Sequence, residues 1–284
     1  MTRELAVTPL RRPLAVSLYF ACHAVAALVL ALPTTAIVAG TGLGRFPEGD
    51  RLLFQPGGAV AAEVVRTLMP ALPAHFLSSF SVAALLGMLL LVPHAALLVG
   101  LARTEREPLS ATWGRALGHL PPLLALSGIA LLAQATVLAG TLTCAGALRG
   151  AWLGPTTRSA DLVYLGAVLL GSLLVRAVGL VRDLGRAAIV RAELDSKSAL
   201  FSGLRAFARA PGRVLAGWIV PALAGAALIA LAAALTTLLD VSRPGTWRLG
   251  LVALVHQSVA YALCWCRAYW LRASLGLVGV EPKP

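Results

Sequence analysis

Few side chains able to do chemistry lie inside the long apolar stretches of this chain. His23 falls near the middle of the first stretch, His94 in the second, Gln134 in the third, and the adjacent His256 and Gln257 in the last. Imidazole titrates near neutrality, and imidazole and carboxamide both donate and accept hydrogen bonds, so these groups could relay a proton or hold a polar solute. Polar groups are costly in hydrocarbon, which makes them the default place to look for a site. His23, Gln134, His256 and Gln257 are therefore the candidate intramembrane polar site. Hydrogen bonding between helices is the plainer reading of the same residues. His256 and Gln257 are neighbours, so on a helix they diverge by about 100° and at least one should face inward.

Patterns for catalysis are missing. There is no HExxH, no GxSxG and no Walker-type phosphate loop. No carboxylate lies clearly inside an apolar stretch; Asp161 and Asp183 stand at the ends of the fourth. A membrane-embedded hydrolase needs a nucleophile or a carboxylate pair at depth, and a proton-coupled carrier usually needs a buried Asp or Glu. Cys22, Cys144, Cys264 and Cys266 lack CxxC or metal-ligand spacing and read as small apolar thiols. The expectation is a non-enzymatic protein with no cofactor and no metal.

The elements that must position these residues follow from composition. Of 284 residues only 13% are charged and 58% are hydrophobic, with a mean hydropathy of +0.83. A soluble domain is about one quarter charged. Such a chain cannot cover its apolar surface with polar residues, so lipid must be the solvent for much of it. The fold class read from the sequence is all-α: a single polytopic membrane domain, residues 1–284, with six transmembrane helices in three hairpins and interfacial amphipathic helices. The spans are placed at about 14–40, 76–101, 121–147, 161–181, 214–239 and 249–271. The first is too long for the core of a secretory signal.

A net charge of +12 would point to nucleic acid in a soluble protein. Here no polar basic domain interleaved with aromatics exists, and the charge is better explained by cytoplasmic loops facing anionic lipid. With both termini inside, the inner segments and the inner end of the last span hold about 16 Lys or Arg, against about 7 outside. That asymmetry predicts a bacterial inner-membrane protein with both ends cytoplasmic. The densest basic stretch is Val175–Pro211, which joins two apolar spans. It makes Arg176, Arg182, Arg186, Arg191, Lys197, Arg205, Arg209 and Arg213 the candidate contacts for anionic headgroups or a protein partner, a second copy included.

Three polar connections carry helical periodicity. Val60, Val64, Leu68 and Leu72 recur every four residues in an outer segment. Leu109, Trp113, Ala116, Leu117 and Leu120 form one face of a second helix. Asp195 or Ser196 can cap a third, with Leu200, Phe201, Leu204 and Phe207 against Lys197, Ser198, Arg205 and Arg209. RALGHLP at 115–121 and RAFARAP at 205–211 share Arg, Ala and Pro in register, and LRRP at 10–13 is a weaker version. Each ends a basic segment and opens a span at proline, where a helix's first turn tolerates the missing N–H. The chain thus reads as three hairpins of one orientation, as duplication would build them.

A Pro56-Gly57-Gly58 turn in an outer loop, then the R-D-L-x-R-A-A-I-V segment Arg182–Val190, then S-A-L…L-R-A-F…P from Ser198 to Pro211, resembles bacterial six-span membrane proteins of unassigned function. In outline it is similar to the membrane domain that accompanies some glycerophosphodiester phosphodiesterases. The resemblance covers most of the chain and implies a helical membrane bundle. The phosphodiesterase catalytic domain is absent, so that activity is not implied. Two functions stand as expectations: a scaffold or accessory subunit in lipid or envelope processes, or a small-solute or lipid transporter with a mid-membrane cavity.

Overall fold

A computed structural model of the chain describes residues 7–40, 72–105, 107–152, 158–238 and 246–278. The amphipathic segment expected around Val60–Leu68 lies outside the described residues, as does the Pro56-Gly57-Gly58 turn. Every α-helix follows the apolar pattern: α1 Pro13–Gly40, α2 Leu72–Leu89, α3 Leu91–Ala102, α4 Leu109–Gly118, α5 Leu120–Trp152, α6 Arg158–Ala192, α7 Ser196–Arg209, α8 Pro211–Leu238 and α9 Thr246–Val278. A short 3-10 turn, Pro9–Arg11, precedes α1. Six helical stretches are long and apolar enough to cross a membrane, with α2 and α3 together supplying the second. The chain is an all-α polytopic membrane protein.

Length explains the charged segments. At about 1.5 Å per residue, the 35 residues of α6 rise roughly 50 Å, against a hydrocarbon core of about 30 Å. Its last three or four turns must therefore leave the lipid. Those turns carry Arg182, Asp183, Arg186 and Arg191, within the densest basic stretch of the chain.

Proline shapes the second span. Pro93 has no N–H to give the carbonyl four residues earlier, and its ring crowds that turn. The helix is interrupted at Leu90, between α2 and α3, while Leu90 N–H to Leu86 O (2.8 Å) and His94 N–H to Leu90 O (3.2 Å) carry the ladder across. The element order repeats three times: a short helix or turn, then a span opened by Pro13, by Leu120 ahead of Pro121, or by Pro211, then a returning span.

The chain forms two compact units, and several of their boundaries fall at or beside prolines. The first holds residues 7–12, 95–221 and 268–278 of those described. Its centre is the end of α6, where Leu180, Val181, Leu184, Ala187, Ala188 and Ile189 are all buried. A helix buried on all sides needs small residues where its neighbours come close. Ala95, Ala96, Ala116, Leu123 and Leu126 pack against it, with Trp113 partly buried among them. The face expected for α4 is therefore narrower than its periodicity: Ala116 and Trp113 pack inward, whereas Leu109 and Leu117 are exposed.

The α7 helix packs through its small residues. Ala199 and Gly203 are its buried residues, while Phe201 and Leu204 are exposed. The cause is backbone proximity: a Cβ on Gly203 would lie 2.6 Å from the Val181 carbonyl oxygen and 2.9 Å from Gly185 N. Two helices that cross this closely leave no room between them for Phe or Leu. Asp195 caps α7, its carboxylate accepting from Lys197 N–H (3.1 Å) and Ser198 N–H (3.5 Å).

The second unit holds residues 13–40, 72–94, 222–238 and 246–267 of those described. Within it, Tyr261 meets Phe20 edge-on (5.3 Å between ring centroids), packs beside Trp265 (6.2 Å), and shares a 3.0 Å hydrogen bond with Ser17. Gly225 lets α8 approach Leu263 on α9, where a Cβ would come within 2.9 Å.

Candidate functional site

The polar residues of the spans fall in different settings. In the second unit, His23 Nδ1 lies 2.8 Å from the Tyr19 carbonyl oxygen of its own helix, and His256 Nδ1 lies 2.9 Å from that of Val252. His256 and Gln257 are both exposed on α9. Neither turns into the interior, against the expectation for adjacent helix positions. His23 also stacks on Tyr19, with 4.1 Å between centroids, and Tyr19 is 6.1 Å from the buried His94. In the first unit, Gln134 Nε2 donates to the Val175 carbonyl oxygen (3.1 Å), joining α5 to α6. These hydrogen bonds run along a helix or between a helix pair.

Charge organises the end of α6 instead. Asp183 is 3% exposed and Arg186 is 7% exposed. A buried charge must be paired and hydrogen-bonded. Asp183 Oδ2 accepts from Trp270 Nε1–H at 2.9 Å, and Asp183 Oδ1 lies 3.7 Å from both Arg186 Nη1 and Arg182 Nε. Arg186 Nη2 donates to Ser127 Oγ at 2.8 Å, and Ser127 in turn donates to the Leu123 carbonyl oxygen at 2.6 Å. One hydrogen-bonded ionic network thus fastens α5, α6 and α9 together. Further along α6, Arg191 Nη1 donates to the Leu275 carbonyl oxygen at 2.5 Å. That carbonyl belongs to the last turn of α9, where intrahelical donors run out and a cation also suits the dipole.

Arg186 is therefore not a headgroup contact, because burial and Ser127 hold it inside the bundle. Arg191 and Arg182 are turned inward in part, toward α9 and Asp183. The remaining cations named from the sequence, Arg176, Lys197, Arg205, Arg209 and Arg213, are exposed. Arg12 has a structural task too: its guanidinium donates to the carbonyl oxygens of Gly100 (3.1 Å), Arg103 (3.0 Å) and Glu105, closing the end of α3.

Sequence reasoning placed Asp183 only at the end of a span and passed over Ser127 and Trp270. The spacing of Asp183 and Arg186, three apart on one helix face, signals an ion pair. Trp270 lies 87 positions away from Asp183, and no local pattern points to it.

A cleft of about 200 Å³ opens where α7 turns into α8, lined by Ser202, Arg209 and Arg213 on one side and Leu277 and Val278 on the other. A wider, shallow depression of about 560 Å³ lies beside His119, Glu193 and Asp195. No group of three or more His, Cys, Asp or Glu among the described residues is placed to hold a metal ion.

Comparisons with protein-family models, with curated proteins and with solved structures find no match. The fold and this geometry define the class: a polytopic helical membrane protein with a buried ionic lock and an exposed basic helix–helix elbow.

Proposed function

We propose that this protein is a non-enzymatic scaffold or accessory subunit of a bacterial inner membrane, whose basic cytoplasmic face binds anionic lipid headgroups in a lipid or envelope process. One observation carries the reading. Along α7 and the start of α8, Lys197, Arg205, Arg209 and Arg213 are exposed beside the exposed apolar Phe201 and Leu204. A helix that shows cations and large apolar groups together suits the headgroup boundary, where each cation near an anionic surface contributes about 1 kcal/mol. Arg182, Arg186 and Arg191 are partly or wholly buried, and the four exposed cations form the lipid-facing set. Both termini would lie on the cytoplasmic side.

The transport alternative draws less from the molecule. It needs a polar cavity at depth, whereas His23 and His256 bond to their own helices and Gln134 to Val175. The test is native mass spectrometry of the intact protein released from membranes of mixed lipid. Anionic phospholipid enriched over zwitterionic lipid is the expected result. Protein retaining no lipid, or retaining both classes in proportion to the membrane, overturns the reading.

A further inference from the structure

The cleft at the α7–α8 elbow has the chemistry of one lipid component in particular, and the argument rests on the anionic-lipid reading above. We infer that Arg209 and Arg213 form a discrete seat for the phosphate group of an anionic membrane lipid, whose ester side lies against Leu277 and Val278.

Position is the first support. α7 ends at Arg209, Ala210 forms the elbow, and Pro211 opens α8, which is long and apolar enough to cross a membrane. Leu277 and Val278 close α9, another helix long and apolar enough to cross. The cleft thus sits where two spans reach the polar boundary of the bilayer, the depth at which phospholipid phosphates lie.

Composition is the second. Two guanidinium groups, Arg209 and Arg213, stand four positions apart across the elbow and line the cleft. Guanidinium matches phosphate by paired, charge-assisted hydrogen bonds, and the Ser202 hydroxyl adds a donor on the same side. Leu277 and Val278 from α9 make part of the lining aliphatic, and Ala206 and Ala210 add only methyl groups. A free ion gains nothing from an apolar wall; a phosphate ester does.

Size is the third. At about 200 Å³ the cleft is smaller than the roughly 300–1,000 Å³ of most small-molecule sites. It takes a headgroup phosphate with its attached glycerol carbons and leaves the acyl chains outside, along the apolar spans.

The experiment measures retention of phosphatidylglycerol by the full-length protein in zwitterionic nanodiscs, comparing wild type with two charge-matched double variants. R209Q/R213Q empties the seat; K197Q/R205Q removes the same charge elsewhere on the basic face. The expected result is that R209Q/R213Q loses at least about tenfold more affinity than K197Q/R205Q, since diffuse attraction falls alike in both. Ala206→Leu removes no charge but fills the cleft, and is expected to release the lipid too. It keeps the test open if the double variant does not fold. Equal losses in the two double variants, or wild-type retention by Ala206→Leu, overturn the seat while leaving diffuse lipid binding intact. Wild type that retains no anionic lipid overturns both readings. Displacement of the lipid by inorganic phosphate overturns the lipid assignment in favour of a free-anion site.

Discussion

At the scale of single residues, the strongest claims concern buried charge and backbone conformation. Asp183 accepts the Trp270 indole and faces two arginines, so removing it leaves Arg186 buried with its countercharge gone. Breaking such a pair costs about 3–5 kcal/mol. Asp183→Ala is expected to lower the melting temperature in detergent sharply, and Asp183→Ala/Arg186→Met to recover much of the loss; a double variant as unstable as the single one would refute the pairing. Glu193, between α6 and α7, has φ of 51°, a left-handed conformation that costs a side-chain-bearing residue about 1–2 kcal/mol. Glu193→Gly is expected to raise the melting temperature slightly, and a fall would show that the carboxylate has another task. Asp195 titrates below the ordinary carboxylate range because the Ser198 hydroxyl, helped by the backbone N–H groups of Ser198 and Lys197, outweighs slight desolvation. A depressed pKa means that the cap stabilises α7 above the unfolded pKa and is lost as pH falls through the folded one. The protection of the α7 amides, taken relative to intrinsic exchange at each pH, should therefore fall only at acid pH, and Asp195→Asn should flatten that dependence.

At the scale of elements, the decisive contact is the crossing of α6 and α7. Gly185 and Gly203 face one another, with a Cβ on Gly185 lying 2.9 Å from Leu126 Cδ2 and 3.1 Å from the Ala199 carbonyl oxygen. Backbone cannot retreat as a flexible side chain can. Gly203→Ala should cost about 1–3 kcal/mol by overpacking, read as a lower melting temperature, whereas Gly212→Ala, where a Cβ meets nothing within 4 Å, should cost little. Equal effects would mean that the crossing is looser than described. The same crossing explains why Phe201 and Leu204 point outward, and so why α7 offers an apolar and basic surface together.

At the scale of the whole molecule, six helical stretches among the described residues are apolar enough to cross a membrane, and the proposed function puts both ends on the cytoplasmic side. A phosphatase reporter fused to either terminus should be inactive in the periplasm-dependent assay, and a fluorescent protein fused at either end should be bright. Opposite results at the two ends would remove the six-crossing topology.

Much of this architecture is legible in the linear chain for a physical reason. Partition into lipid depends on the summed hydropathy of about twenty consecutive residues, which is a local quantity. It is why the spans could be read directly, whereas the cap of α7 was narrowed only to Asp195 or Ser196. The candidate site was less legible. Periodicity put Phe201 and Leu204 on one apolar face but could not say which side meets α6, because it weighs side chains and cannot register a Gly185–Gly203 approach. Charge patterning grouped Arg186 with Arg209 and Arg213, although one is buried and the others exposed. Composition alone determined that this is a helical membrane protein and where its helices run. Only the tertiary structure decided which arginines are spent inside the bundle and which face outward. That choice turns on Trp270 and Ser127, which reach Asp183 and Arg186 through space and share no pattern with them along the chain.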